Sequence, residues 1–480
     1  MTISNPEPPV LFVDLDGTLI KTDLLHESAL QALKKNLWLL FIMPFWLMRG
    51  RAYLKSRIAA QVRLDTGLLP VQDELLEFLK EEHARGRKLV LATASDQSLA
   101  LAVADRFGIF EQVLASTADC NLKGEEKLKA ILAMTGGAEF DYAGNARADF
   151  PIWERASTAI VTIPNFGVLN NVRKMSENMG KTMVLFNDRP SYWTLWMKQA
   201  RLYQWLKNLL IGVPLLTSHT FTMSGFHSAG LAFIAFGLVA SATYVFNDLI
   251  DLNNDRQHPR KKMRPFAAGN LSIAHGIIGM TLLLTGGLLL ASSISVEFLF
   301  SALVYLVLTL SYSLVFKSYV LLDVLLLASL YTIRIIAGAL AIQVDISSWL
   351  VSFSMFTFLS LALIKRASEL VMLNKEELNR ARGRDYQFSD FNLIVTMGIT
   401  AGYIAVLVLA LFVDNSLIQL NYHHPRRLWL LCPLMLYWIS RLWIKTTRGE
   451  MTDDPIIFSI RDRPSWLILA GMICVTIMSI

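Results

Sequence analysis

Two groups of acidic side chains in this chain have spacings that can hold a divalent cation over a phosphate. The first is Asp14 and Asp16 in VLFVDLDGT. Two Asp separated by one residue at the end of an apolar strand point the same way, and Gly17 permits the sharp turn that follows. The second is Asn247, Asp248, Asp251 and Asp255 in YVFNDLIDLNNDRQHPRKKMRPFAAG, residues 244–269. Intervals of three, four, seven and eight place an amide and three carboxylates on one helix face, where the acids repel unless a cation lies between them. Arg256, Arg260, Lys261, Lys262 and Arg264 follow and suit an anionic ligand. Together they suggest Mg2+ and a diphosphate; the plain alternative is a polar loop between membrane helices.

The elements that must position these groups differ between the two ends of the chain. Over 480 residues, 54% are hydrophobic and 18% charged, too apolar for an ordinary soluble enzyme. The excess lies after residue 200, in apolar segments at about 206–222, 227–246, 273–293, 296–315, 319–342, 348–364, 393–413, 428–444 and 465–480. They predict nine transmembrane helices. Basic residues collect in the loops after the second, fourth, sixth and eighth, at Arg256 to Arg264, Lys317, Lys365 to Arg384, and Lys445 to Arg463. By the positive-inside rule these loops and the N-terminal third face the cytoplasm, so an inner, cytoplasmic membrane is expected. The net charge of +6 is thus read loop by loop, and no nucleic-acid partner is expected. Cys120, Cys432 and Cys474 are too scattered for a disulfide framework, and MTISNPEPP lacks the features of a signal peptide.

In the N-terminal third, Val10 to Val13 reads as a buried strand delivering Asp14-Leu15-Asp16-Gly17-Thr18, LVLATAS delivers Thr93 and Ser95, NLKGEEKLKAIL opens a helix with Lys123 and Lys127, and FDYAGNARADFPIW gives Asn145 and Asp149. These parts, in this order over residues 8–165, resemble the haloacid dehalogenase superfamily of phosphohydrolases. The resemblance implies an α/β Rossmann-like fold with a helical cap at about 24–87. It further implies that Asp14 attacks phosphorus, Asp16 serves as acid and base, Thr93 binds a phosphoryl oxygen, Lys127 balances charge, and Asn145 and Asp149 help Asp14 and Asp16 hold Mg2+. Asn145 stands where that family usually has Asp, which weakens the metal site. Within the cap, NLWLLFIMPFWLM is too short to span a bilayer and reads equally as a buried helix or an interfacial segment. Residues 166–197 read as a linker, with turn signals at Asn165-Phe166-Gly167 and Asp188-Arg189-Pro190-Ser191.

Residues 198–480, with NDxxDxxxD after the second apolar segment, resemble the UbiA superfamily of intramembrane prenyltransferases, an all-α membrane bundle. QWLKN at 204–208, the DRQHPRKKMRPFAAG continuation, IRIIAG at 333–338 and IRDRP at 460–464 resemble more narrowly the decaprenyl-phosphate phosphoribosyltransferases. This implies catalytic Asp248 and Asp251, Mg2+ on Asn247, Asp248, Asp251 and Asp255, and transfer of 5-phosphoribose from phosphoribosyl diphosphate to a polyprenyl phosphate. Substrate contacts are expected from Lys207, Asn208, Arg256, Arg260, Lys261, Arg264, Tyr312, Lys317, Asp323, Arg334, Lys365 and Arg366. Asp323 and Arg334, on similar faces of one helix, could instead pair with each other. The N-terminal domain could then remove the 5-phosphate from the lipid product, giving a pentose glycolipid or cell-envelope precursor. The alternative enzyme is an aromatic prenyltransferase using a polyprenyl diphosphate, with a separate or inactive phosphatase. A non-catalytic lipid carrier is the third reading, and homo-oligomerisation is open.

Overall fold

The computed structural model describes residues 8–163, 167–188, 190–218, 221–375, 385–415, 422–451 and 454–479. The turn signals at Asn165, Phe166 and Arg189 and the Arg384 end of the basic loop lie outside the described residues. The chain divides into two compact units, one of Met1–Ala200 with Tyr244–Met280 and the other of Arg201–Thr243 with Thr281–Ile480.

The first unit is built on six parallel strands: β1 (Val10–Val13), β2 (Leu89–Asp96), β3 (Gln112–Ser116), β4 (Phe140–Gly144), β5 (Thr158–Thr162) and β6 (Thr182–Phe186). Their order is β3-β2-β1-β4-β5-β6, with Leu11 opposite Leu89 and Val10 opposite Phe140. A parallel sheet is covered on both faces, which is why its central strands are continuous apolar runs. Leu11 and Val13 join Leu75, Leu79, Leu89 and Leu91 on one face, whereas Phe12, between them, joins Val90, Tyr142, Trp153 and Val161 on the other. Because the chain leaves β1 towards β2 on one side and β4 on the other, the C-terminal ends of these three strands form the crevice where such sheets bind ligands.

Between β1 and β2 lie α1 (Leu24–Lys35), α2 (Leu39–Met48), α3 (Arg51–Ala59) and α4 (Asp73–Ala84). The expected cap at 24–87 is too long at its C-terminal end. Leu75 and Leu79, one helical turn apart on α4, are fully buried against the sheet, so α4 is a layer of the core and the cap consists of α1 to α3. Then come α5 (Gln97–Phe107), α6 (Glu125–Thr135), α7 (Phe150–Trp153), α8 (Val168–Met179) and α9 (Tyr192–Gln199). The expected linker at 166–197 is also corrected: it supplies α8 and β6, which pairs with β5 from Thr158 opposite Thr182 to Thr162 opposite Phe186. As a short edge strand with half-exposed side chains, β6 carries a weaker apolar signal than the central strands.

After α10 (Val213–Thr217), the chain is almost entirely helical: α11 (Met223–Ile250), α12 (Leu252–Gln257), α13 (Ile273–Ser292), α14 (Val296–Leu314), α15 (Leu322–Ala341), α16 (Ser348–Lys375), α17 (Phe391–Asp414), α18 (Leu431–Thr447), α19 (Pro455–Arg461) and α20 (Arg463–Ser479). Among the described residues six helices are long and apolar enough to cross a membrane: α11, α13, α14, α15, α16 and the helix ending at Asp414. This is a multi-pass membrane protein. The other three expected crossings are shorter helical pieces. The first is a 3-10 stretch, Leu202–Gly212, that becomes α-helical where Pro214 starts α10. The eighth opens as a 3-10 turn, Pro425–Leu430, and both α18 and α20 have 17 residues. In the second unit, Gly338 lets α15 approach that 3-10 stretch, since a Cβ there would lie 2.1 Å from the Ile211 carbonyl oxygen.

Candidate active sites

The crevice at the ends of β1, β2 and β4 opens into a cavity of about 320 Å³ lined by Asp14, Asp16, Lys127, Asn145 and Asp149. Asp14 follows β1 directly and is buried; its Oδ1 accepts a 2.7 Å hydrogen bond from Lys127 Nζ, and its Oδ2 one of 3.3 Å from the Thr18 hydroxyl. Asp16 Oδ1 accepts from the Leu24 N–H at 2.8 Å, and its Oδ2 from the hydroxyls of Ser95 at 2.6 Å and Thr93 at 3.4 Å. Burial raises the Asp14 carboxyl above the ordinary range, against the pull of Lys127 and with Asp149 adding to the rise. Asp16 is pushed up to about 7 by burial and by Asp23 and Asp14. Burial disfavours the Lys127 ammonium, but Asp14 and Asp149 prevail and raise it. One carboxylate is thus held beside a cation, and its neighbour takes a proton near neutrality.

Asn145 follows β4, and its side chain packs on Gly17, where an added Cβ would meet Asn145 Nδ2 at 2.2 Å. Gly17 also has φ +76°, so the turn requires glycine twice over. Asp149 has its oxygens engaged: Oδ1 accepts from Tyr142 at 2.9 Å, and Oδ2 from the N–H groups of Asn145 at 3.1 Å and Ala146 at 2.9 Å. It braces the loop bearing Asn145. Oxygen donors of this kind fit Mg2+. Among the described residues no three His, Cys, Asp or Glu group tightly enough to cage a metal by themselves. The cavity walls add Lys21, Lys55 and Lys123, and also Asn270 and His275 from the segment after the second acidic group.

That second group lies in the same unit. Helix α11 ends at Ile250 and α12 begins after Asp251, so the acidic face is broken at Asp251 instead of running along one helix. Asp248 and Asp255 still converge: the Arg264 Nη1 donates to Asp248 Oδ1 at 3.0 Å and to Asp255 Oδ2 at 2.7 Å. Both carboxylates are buried, and Gln199 Nε2 donates to Asp248 Oδ2 at 2.8 Å. Burial raises the Asp255 carboxyl, opposed by Arg264 and reinforced by Asp248. The point between the acids is therefore already a cation site, and the oxygen pair fits Mg2+. Asn247 and Asp251 are half-buried beside it, linked by a 2.8 Å bond from the Asp251 N–H to the Asn247 carbonyl. Arg260 and Lys261 are exposed. Arg256 turns the other way, its guanidinium buried on Glu27 of α1 at 2.6 and 3.2 Å.

The second unit holds its own polar cluster. Lys207 pairs with Asp454 at 2.7 Å and faces the Tyr331 ring at 5.4 Å. Arg334 donates to Asn208 Oδ1 at 3.0 Å and to the Tyr305 hydroxyl at 3.1 Å. Asp323 pairs with Arg366 at 2.7 Å and accepts from the Tyr386 hydroxyl at 2.6 Å, while Arg366 also bonds Glu369. The pairing of Asp323 with Arg334 that their shared face allows does not form, because eleven residues of helix separate them by about 16 Å. Lys365 is half-buried beside Arg366, and Tyr312 and Lys317 are half-buried at the end of α14 and on the turn that follows. Ser95 is delivered with Thr93 by one apolar strand, as the sequence predicts, whereas Tyr142, Gln199, Glu27, Tyr386 and Asp454 are partners that no sequence motif marks.

Comparison with known proteins decides the family. The profile of the UbiA prenyltransferase family matches residues 210–461. The chain belongs to the UbiA prenyltransferase family. This UbiA-family protein also carries a haloacid dehalogenase-like hydrolase domain, matched over residues 11–154. It is 34% identical over 463 residues to the uncharacterized protein y4nM of Sinorhizobium fredii, covering 95% of this chain and 88% of the relative. It is 33% identical to the nodulation protein NoeC of Azorhizobium caulinodans over 57% of this chain and 89% of the relative. To the decaprenyl-phosphate phosphoribosyltransferase of Corynebacterium glutamicum it is 33% identical over 37% of this chain and 54% of the relative. Both families typically use Mg2+.

Proposed function

We propose that this UbiA-family protein is a bifunctional enzyme of the inner membrane, with nine crossings and a cytoplasmic N-terminal domain. One activity transfers 5-phosphoribose from phosphoribosyl diphosphate to a polyprenyl phosphate; the other removes the 5-phosphate from the lipid product. The observation that carries the reading is a cavity lined by Asp14, Asp16 and Lys127, with Thr93 buried behind it on Asp16, on a chain whose UbiA half is similar to decaprenyl-phosphate phosphoribosyltransferases.

In the hydrolase, Asp14 attacks phosphorus and forms an aspartyl phosphate as the bond to the lipid-borne alkoxide breaks. Asp16, protonated near neutrality, gives its proton to that alkoxide and then takes one from the water that attacks the aspartyl phosphate. Lys127 holds Asp14 in place and offsets its charge. In the transferase, Arg264, Arg260 and Lys261 bind the diphosphate and ease its departure as C1 of the ribose gains positive charge. The cluster of Lys207, Asn208, Tyr312, Lys317, Asp323, Arg334 and Lys365 is assigned to substrate binding. Mg2+ supplies charge neutralisation when bound, held by Asp14, Asp16 and Asn145 in one site and by Asn247, Asp248, Asp251 and Asp255 in the other.

The test is to incubate purified protein with Mg2+, phosphoribosyl diphosphate and a polyprenyl phosphate and to weigh the lipid by mass spectrometry. The wild type should yield lipid-linked ribose, and Asp14→Asn lipid-linked ribose 5-phosphate. Absence of any lipid-linked pentose overturns the transferase; a product that keeps its phosphate in both overturns the hydrolase.

A further inference from the structure

Helix α2 of the cap is apolar on every side, yet only one face is packed. Leu39, Met43 and Trp46, spaced for one face, join Ala32, Leu33 and Val62 in a small satellite core. Leu37, Trp38, Leu40, Phe41, Phe45 and Met48 are 59 to 84% exposed. A patch of this kind on a cap over a hydrolytic site has an occupant.

Charge identifies it. Residues 28–64 contain seven Lys and Arg and no Asp or Glu. Lys34 and Lys35 close α1 just before the exposed run, and Arg49 and Arg51 follow it. Exposed Trp and Phe bounded by basic side chains form the pattern of a segment lying in the interface of an anionic bilayer, apolar rings among the acyl chains and cations among the phosphates. With 10 residues, α2 is far shorter than a membrane-crossing helix. Helix α3 then returns to the hydrolase cavity, where Lys55 donates to Ala94 O at 2.5 Å and Asn121 Oδ1 at 3.0 Å.

We propose that residues 37–48 of the cap insert into the interface of a bilayer rich in anionic phospholipid and tether the hydrolase cavity to the membrane surface. This goes beyond the catalytic reading and holds whichever phosphate ester the cavity hydrolyses.

The experiment uses the full chain in proteoliposomes of phosphatidylglycerol and phosphatidylcholine, with Cys120, Cys432 and Cys474 changed to Ser. Phe41→Cys carries a bimane label, and Glu81→Cys, on the exposed face of α4, is the control. Brominated lipids should quench the label at 41 several-fold more than at 81, and aqueous iodide should show the reverse. Replacing Lys35, Arg49 and Arg51 with Gln, or removing phosphatidylglycerol, should at least halve the lipid quenching at 41. Equal quenching at both positions overturns the proposal, as does disulfide crosslinking of unlabelled Phe41→Cys between two chains, which would make a second copy the occupant.

Discussion

Asp14 and Asp16 stand two residues apart and meet opposite surroundings, one against the Lys127 ammonium and the other against hydroxyls and a backbone N–H. The rise of Asp16 to about 7 comes first from burial, so phosphate release should fall as pH rises through that value and the acid loses its proton. A cation beside the pair favours the ionised form, so the apparent pKa in a pH–rate profile should move down as Mg2+ is increased. A profile flat from pH 6 to 9 would remove Asp16 from the role of acid. The motif itself is legible from spacing, because a strand end fixes where adjacent side chains point. Not every partner is: Tyr142 reaches the site because β4 flanks β1, and Arg366 reaches Asp323 from the next helix. Spacing along one helix tells which way a side chain points but not what stands opposite.

At the scale of elements, strongly periodic or uniformly apolar runs were legible, whereas weak edges and interrupted helices were not. Helix α4 falls in the helically periodic stretch expected to form the cap, and periodicity suits a cap or a sheet layer alike; Leu75 and Leu79 pack in the core of the sheet. Strand β6 is too short and exposed to announce itself. For α2 the sequence leaves a packed and an interfacial role open; Leu39, Met43 and Trp46 pack within the cap, and the exposed Phe41 and Phe45 are the surface on which the interfacial proposal rests. A carboxylate at the tip should therefore divide substrates by their solubility. Phe41→Asp should slow dephosphorylation of a polyprenyl-linked phosphate at least tenfold while leaving hydrolysis of p-nitrophenyl phosphate within twofold. Equal loss on both substrates would mean that Phe41 serves the fold of the cap.

At the scale of the molecule, the acidic segment at the end of α11 packs in one unit with the hydrolase sheet, although Arg201–Thr243, between them in sequence, belongs to the other unit. The junction includes the buried Arg256–Glu27 pair, with Glu27 also accepting from the Thr22 hydroxyl at 2.7 Å. Removing one partner of a buried pair leaves an uncompensated charge and costs about 3–5 kcal/mol. Glu27→Met or Arg256→Met should each lower the thermal unfolding midpoint of the detergent-solubilised protein, and the double variant should recover much of the loss. Additive losses would show that the two side chains do not depend on each other. Nothing in either motif announces this junction, since each half reads as a separate enzyme.

Arg264 bears on how the transferase site loads. With its guanidinium between Asp248 and Asp255, the resting carboxylates already have a counter-ion, so a bare metal must compete with a tethered one. A metal arriving with diphosphate need not compete, because the phosphates offer the displaced guanidinium a new acceptor. If Mg2+ and diphosphate bind as proposed, the site would act as an interlock that favours metal and donor together over bare metal. Arg264→Gln should accordingly bind Mg2+ more tightly without donor and diphosphate more weakly with it, a crossover that calorimetry would register as lost synergy between the two ligands.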